Sequence, residues 1–317
     1  MILTDFLPAP WMRSPHVQTI VPSFLPARAV AGPVQTLDVP VAAGTKIRVL
    51  VSRPPSRPRG TLLAIHGLFG SAESGYMRRT AAQAHASGWA VARVNLRNCG
   101  GTEALSATLY NAGQSDDVDA AFRAIEAGGL PRPYALLGFS LGGNIAMRYA
   151  GLSGSACRAD RVFAVNPPVD LARCVDAIER SGNALYHAYF TRNLCAQLRR
   201  IRRLRPVPGP EAKAGTIGGV RGFDDRFTAP DAGYESAADY YRGASASPTL
   251  SGLKREALII SAQDDPLVPV SMFDAVRAAS PHLRFVHPAR GGHCGYWGAR
   301  PPRFWAAEAA LTFFERV

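Results

Sequence analysis

The amino-acid sequence predicts an α/β fold: a mostly parallel central sheet with helices on both faces, interrupted by a largely helical insertion. Three observations point there. From Lys46 onward, short β-branched runs alternate with helical windows, the rhythm of repeated βα units. Most of those runs are almost continuously apolar, as strands covered on both faces must be. Between Asn166 and about Gly252 the rhythm stops, and after that it resumes.

In chain order the expected strands are 46–52, 61–66, 90–95, 134–139, 161–165, 257–262 and 283–286. The expected helices between them are 76–87, 116–127, 141–152, 271–279 and 303–316. Gly128-Gly129 and then Pro131 give a clear stop after the second helix. The first 45 residues are proline-rich and receive no assignment. Residues 1–169 and 251–317 are read as the core, with 1–45 as an N-terminal extension packed on it. Residues 170–250 are read as a helical cap insertion.

Composition narrows the function classes. The chain has 317 residues, 47% of them hydrophobic and 19% charged, which excludes disorder and leaves ample material for a core. Five scattered cysteines without a CxxC pair exclude a disulfide scaffold and a cysteine-built zinc site, and they fit a reducing cytosol. An early acid and proline stand where a leader would carry basic and apolar regions. No run reaches the ~18 apolar residues of a membrane span. A soluble, cytoplasmic protein is expected. The net charge of +12 invites a nucleic-acid reading, but no motif or aromatic interleaving supports one.

The strongest local signal is Gly138-Phe139-Ser140-Leu141-Gly142-Gly143-Asn144, placed between an expected strand and an expected helix. G-x-S-x-G in that setting is a nucleophile elbow, a strained turn that lifts the serine hydroxyl above the sheet. The plainer alternative is a glycine-rich βα turn with an incidental serine. The Leu141 N–H, at the helix start, is placed to donate to an oxyanion. A second donor is expected from the loop after strand 61–66, and the Leu68 N–H in His66-Gly67-Leu68-Phe69-Gly70 is the candidate.

A serine nucleophile needs a base and an orienting acid, met in the chain order Ser, Asp or Glu, His. Asp264-Asp265 follows strand 257–262, and Gly291-Gly292-His293-Cys294 follows strand 283–286. Both lie beyond carboxyl ends of strands, where open α/β sheets place ligand residues. Each has a plainer reading: a helix N-cap for the aspartates, a loop histidine for His293. His282 and His287 come too early in the chain to reach back to Ser140. Either aspartate fits at this point.

With these residues in view, the sequence resembles the α/β-hydrolase superfamily, and within it the YheT-like branch, also called the AB hydrolase 4 family. Four further segments carry the likeness. They are Pro10-Trp11 with Pro15-His16-Val17-Gln18-Thr19, His66-Gly67 leading to Ser71 and Ser74-Gly75-Tyr76, Asn95-Leu96-Arg97-Asn98-Cys99-Gly100-Gly101, and Tyr110-Asn111-Ala112-Gly113 with Asp116-Asp117. The branch usually has Arg-Gly-Cys where this chain has Arg97-Asn98-Cys99; asparagine tolerates positive φ there. The D-x-x-V-P spacing of Asp265 to Val268-Pro269, which recurs around the acid in related hydrolases, favours Asp265 over Asp264.

The resemblance implies the α/β-hydrolase fold and a cofactor-free serine hydrolase acting on short- to medium-chain carboxylic esters or acylglycerols. Acyl transfer to an alcohol is the alternative activity, and a non-catalytic ligand-binding module is the alternative class. The role of the His16-Gln18-Thr19 element has no account at this level.

Inside the insertion, apolar residues 186, 190, 194, 198, 201 and 204 fall at helical spacing. Arg192, Arg199, Arg200, Arg202, Arg203 and Arg205 share the window with no acid. The favoured reading is a cap helix that lays its apolar stripe over the active site. Weak peripheral contact with an anionic membrane is the other.

Overall fold

A computed structural model describes residues 6–27, 30 and 32–315. Its core is one eight-stranded sheet, and the apolar runs from Thr61 onward become six of its strands. These are β3 (Thr61–Ile65), β4 (Ala90–Asn95), β5 (Tyr134–Phe139), β6 (Arg161–Val165), β7 (Glu256–Ile260) and β8 (Leu283–Val286). With β1 (Val34–Ala42) and β2 (Thr45–Ser52) they stand in the order β1-β2-β4-β3-β5-β6-β7-β8. Pairing is antiparallel from β1 through β2 to β4 and parallel from there on. The mostly parallel sheet is as expected.

β1 was not expected, for a physical reason. It is an edge strand whose only buried residue is Val39, so it lacks the apolar run of an interior strand. Its Pro40 sits at the register irregularity, the kind of position where a strand tolerates proline.

Helices cover both faces of the sheet. They include α1 (Pro15–Ile20), α2 (Gly75–Ala86), α3 (Asp116–Ala127) and α4 (Leu141–Ser153). Between β6 and β7 run α5 (Leu171–Ile178), α6 (Ala184–Arg202), α7 (Gly219–Phe223), a π-helical turn Asp224–Thr228, α8 (Ala229–Asp231) and α9 (Ala237–Ala244). That stretch carries no strand among the described residues. α10 (Trp305–Phe314) closes the chain, shorter than the 303–316 expected; residues 316 and 317 lie outside the described residues. Among the described residues no helix is long and apolar enough to cross a membrane.

One expected helix is corrected. Residues 271–279 do not form an α-helix; Val270–Val276 is a 3₁₀ segment. Its i to i−3 bonds, such as Met272 N–H to Pro269 O, bring Phe273 and Val276 onto one buried face. A second correction concerns the apolar stripe of α6. Leu194, Leu198 and Ile201 are buried on it, but Leu204 lies past the helix end and is 57% exposed.

Candidate active site

Each candidate residue stands at the carboxyl end of a parallel strand or in the loop that follows one. Ser140 links β5 to α4 at φ 50° and ψ −120°, a conformation that non-glycine residues adopt at a cost of about 1–3 kcal/mol. Backbone bonds hold it there: its N–H donates to Val165 O at 2.8 Å, and its carbonyl accepts from Gly143 and Asn144. The glycines of the motif have a steric reason. A Cβ on Gly138 would sit 2.2 Å from Gly142 O, and one on Gly142 would sit 2.5 Å from the carbonyl oxygens of Ile65 and His66. Only bare Cα atoms allow α4 to start this close to the sheet.

The Ser140 hydroxyl lies 2.8 Å from His293 Nε2, and His293 Nδ1 lies 2.9 Å from Asp265 Oδ2. Asp265 is buried and accepts from all sides. Leu267 and Val268 N–H groups donate to Oδ1 at 2.8 and 3.0 Å, and Asn166 Nδ2 donates to Oδ2 at 2.5 Å. With the His293 ring, four donors surround its two oxygens. Asp264 is placed otherwise: its Oδ1 accepts from Gly292 N–H at 2.9 Å, which braces the histidine's loop. Of the two aspartates, it is Asp265 that the fold brings to His293. His282 and His287 bond to Glu256 and to Ser261 O, away from Ser140.

Burial opposes a charge on His293, but the adjacent Asp265 carboxylate outweighs it, and the imidazole titrates well above its ordinary value. With Nδ1–H donated to the carboxylate, Nε2 presents a lone pair to the serine hydroxyl. Such a chain can draw a proton from the serine and hold it.

The loop after β3 is pinned residue by residue. Gly67 N–H donates to the Tyr76 hydroxyl at 2.9 Å, Phe69 N–H to Tyr110 at 3.4 Å, and Gly70 N–H to Gly67 O at 3.0 Å. His66 fixes it from below: Nδ1–H donates to Gly67 O at 2.7 Å, and Nε2 accepts from Leu96 N–H at 3.1 Å. Burial pushes this histidine down to about 4, so it stays neutral as that pattern requires. In the turn 67–70, the Leu68 N–H alone meets no acceptor among the described residues. The Leu141 N–H, at the first turn of α4, likewise meets none, and helix starts favour negative charge.

Ser140, His293, Leu68 and Leu141 all line a cleft of about 960 Å³, open mouth included. Much of its wall comes from the stretch between β6 and β7, with Leu171, Ile178, Phe190, Leu194, Ile201 and Phe223 among the residues. Among its polar residues is Asp224, pushed up to about 6 by burial, which accepts from the Tyr241 hydroxyl at 2.7 Å.

The family described as the alpha/beta hydrolase fold matches residues 60–299, well over half of the chain. The protein is an α/β-hydrolase. The expected YheT-like branch is borne out as well. This hydrolase is 28% identical over 312 residues to the putative esterase YheT of Escherichia coli K12, covering 95% of this chain and 90% of that one. It is 27% identical to a monoacylglycerol lipase of Saccharomyces cerevisiae, over 80% of this chain but only 58% of the relative. An esterase structure from Pyrococcus furiosus superposes with a TM-score of 0.62 at 15% identity, covering 90% of this chain and 91% of that one; it is a likeness of fold.

Two asparagines of this α/β-hydrolase escaped the sequence reading. Asn166 follows β6 at φ 46° and ties Asp265 Oδ2 to Gly292 O. A polar residue at a carboxyl strand end, before Pro167-Pro168, was the signal available. Asn144, fully buried in α4, joins Ala112 O, Ala244 O and Ala246 N–H, locking the helix behind Ser140 to the stretch over the cleft.

Proposed function

We propose that this α/β-hydrolase is a serine carboxylic-ester hydrolase that works through an acyl-enzyme on esters with an apolar acyl chain, acylglycerols among them. One observation carries the reading: the Ser140–His293–Asp265 chain closes at 2.8 and 2.9 Å beside two N–H groups unpartnered among the described residues, on the lining of a mostly apolar cleft. Ser140 Oγ attacks the ester carbonyl while His293 Nε2 takes its proton. Asp265 fixes the tautomer and faces the imidazolium that forms. The Leu68 and Leu141 N–H groups receive the oxyanion, a donor in such a place being worth about 3 kcal/mol. His293 then hands its proton to the leaving alkoxide, and water repeats the sequence to release the acid and restore Ser140. The relatives named as an esterase and a monoacylglycerol lipase support the substrate class.

The division into a core and a cap over 170–250 belongs to the same proposal, because α5, α6 and α7 side chains line the cleft. So does a cytoplasmic setting, which five unpaired cysteines support. On α6 the arginines divide. Arg202 donates to Val207 O and Gly209 O and serves the fold, while Arg192, Arg199, Arg200 and Arg203 are exposed and meet no carboxylate among the described residues. That face is offered to anionic lipid; sedimentation with anionic against zwitterionic vesicles tests it, and equal binding to both refutes it.

Hydrolysis of p-nitrophenyl esters from acetate to palmitate, by wild type and Ser140→Ala together, tests the activity. The expected result is a rate that peaks at one chain length and vanishes in the variant. Ethyl ester as the main product when ethanol is added would identify an acyltransferase. Tight lipid binding with no turnover would identify a binding module.

A further inference from the structure

The element His16-Val17-Gln18-Thr19 takes no part in the chemistry above, yet it is built into the site. It lies in α1, which packs straight onto the loop of His293: a Cβ on Gly292 would lie 2.5 Å from Pro15 O, and one on Gly295 would lie 1.9 Å from Gln18 O. Gln18 is fully buried, and its amide spans the backbone of Trp297. Oε1 accepts from Trp297 N–H at 2.8 Å and Nε2 donates to Trp297 O at 3.2 Å.

Thr19 reaches the histidine itself. Its hydroxyl accepts from the His293 N–H at 2.9 Å and donates to Pro15 O at 2.7 Å. Its one proton is thereby committed to Pro15, and a lone pair to the histidine's backbone. From the same helix His16 reaches α6, its Nδ1 lying 3.0 Å from the Tyr186 hydroxyl. The two rings also stack, with centroids 5.8 Å apart.

The loop needs such a hold. Gly292, Cys294 and Tyr296 alternate at φ 55°, 63° and 41°, a path that no strand or helix enforces and that two non-glycine residues resist. Asp264 and Asn166 brace it only at Gly292.

We propose that Gln18 and Thr19 are positioning residues that hold the His293 loop so that Nε2 faces Ser140, and that Tyr186, through His16, ties this hold to the helix over the cleft. The inference rests on His293 acting as the base.

The test is the rate at which a fluorophosphonate probe reacts with Ser140 in the wild type, Thr19→Val, Thr19→Ser and Tyr186→Phe, with melting temperatures measured alongside. Thr19→Val keeps the shape and removes the hydroxyl; it should slow labelling about tenfold or more, since small misplacements of catalytic groups are costly. Thr19→Ser should return the rate to within about threefold of wild type, a rescue that loss of packing would not give. Thr19→Val at the wild-type rate, or Ser as slow as Val, overturns the role of the hydroxyl. If Thr19→Val does not fold, Tyr186→Phe, which alters only a cap hydroxyl, decides: slowed labelling supports the hold and an unchanged rate overturns it. A wild type that never labels overturns the base reading and this inference with it.

Discussion

Replacing Asp265 with asparagine separates orientation of the base from mere proximity. The carboxylate takes two backbone donors on Oδ1 and two side-chain donors on Oδ2. An amide can satisfy Leu267 and Val268 only by turning its oxygen to them, which points its NH₂ at His293 Nδ1. The imidazole must then keep Nδ1 bare and carry its proton on Nε2, where it cannot accept from Ser140. A wrong tautomer of this kind lowers kcat about 10⁴-fold, equivalent to about 5.4 kcal/mol in the barrier. The pH profile should change too. Activity needs neutral His293, so a raised imidazole pKa places the wild-type acid limb above pH 6.5. With the carboxylate gone, burial acts with little opposition and the limb should move to lower pH. The assay is p-nitrophenyl butyrate hydrolysis from pH 5 to 9, with Asp264→Asn as the control that leaves the tautomer alone. A loss of less than about tenfold, or an acid limb that stays put, would refute the assignment.

Other expectations are simpler. Ser140→Ala should abolish fluorophosphonate labelling while leaving the melting temperature close to wild type; retained labelling would place the nucleophile elsewhere. His66 is neutral and buried with its pKa pushed down to about 4, whereas the unfolded chain binds that proton near 6.5. Stability should therefore fall as pH drops from about 6.5 to 4, by about 3 kcal/mol, read as urea midpoints against pH. A His66→Asn variant with the same slope over that interval would assign the effect to another group. Gly142→Ala would press a methyl group to within 2.5 Å of two carbonyl oxygens. It should cost about 1–3 kcal/mol by denaturant titration, and an unchanged midpoint would mean that α4 can move off the sheet freely.

The resemblance to the YheT-like branch told in advance which family to expect, but the residues carried much of the reading themselves. The parallel strands were legible because β3 to β7 are buried on both faces, and an apolar run needs no partner to be recognised. Ser140 was legible because an elbow needs glycines at fixed offsets along the chain, and His293 because chain order narrows the choice among seven histidines. Where alternation was weak the reading failed: β1, with one buried residue, left no trace, and the 3₁₀ segment after Pro269 looked like an ordinary helix.

What the tertiary structure decided was every relation between segments far apart in the chain. Asp264 and Asp265 are neighbours of one type, and the turn geometry alone sends one to Gly292 and the other to His293. The Leu68 N–H is left without an acceptor among the described residues while its neighbours' N–H groups are occupied by Tyr76, Tyr110 and Gly67 O, which no local pattern reveals. Gln18 and Thr19 acquire a role only when folding lays α1 against a loop 274 residues away in the chain. Sequence records what each segment prefers by itself, its periodicity, its turns and its caps. Hydrogen bonds between distant segments depend on which surfaces burial of the core brings together, and that is settled by the fold as a whole.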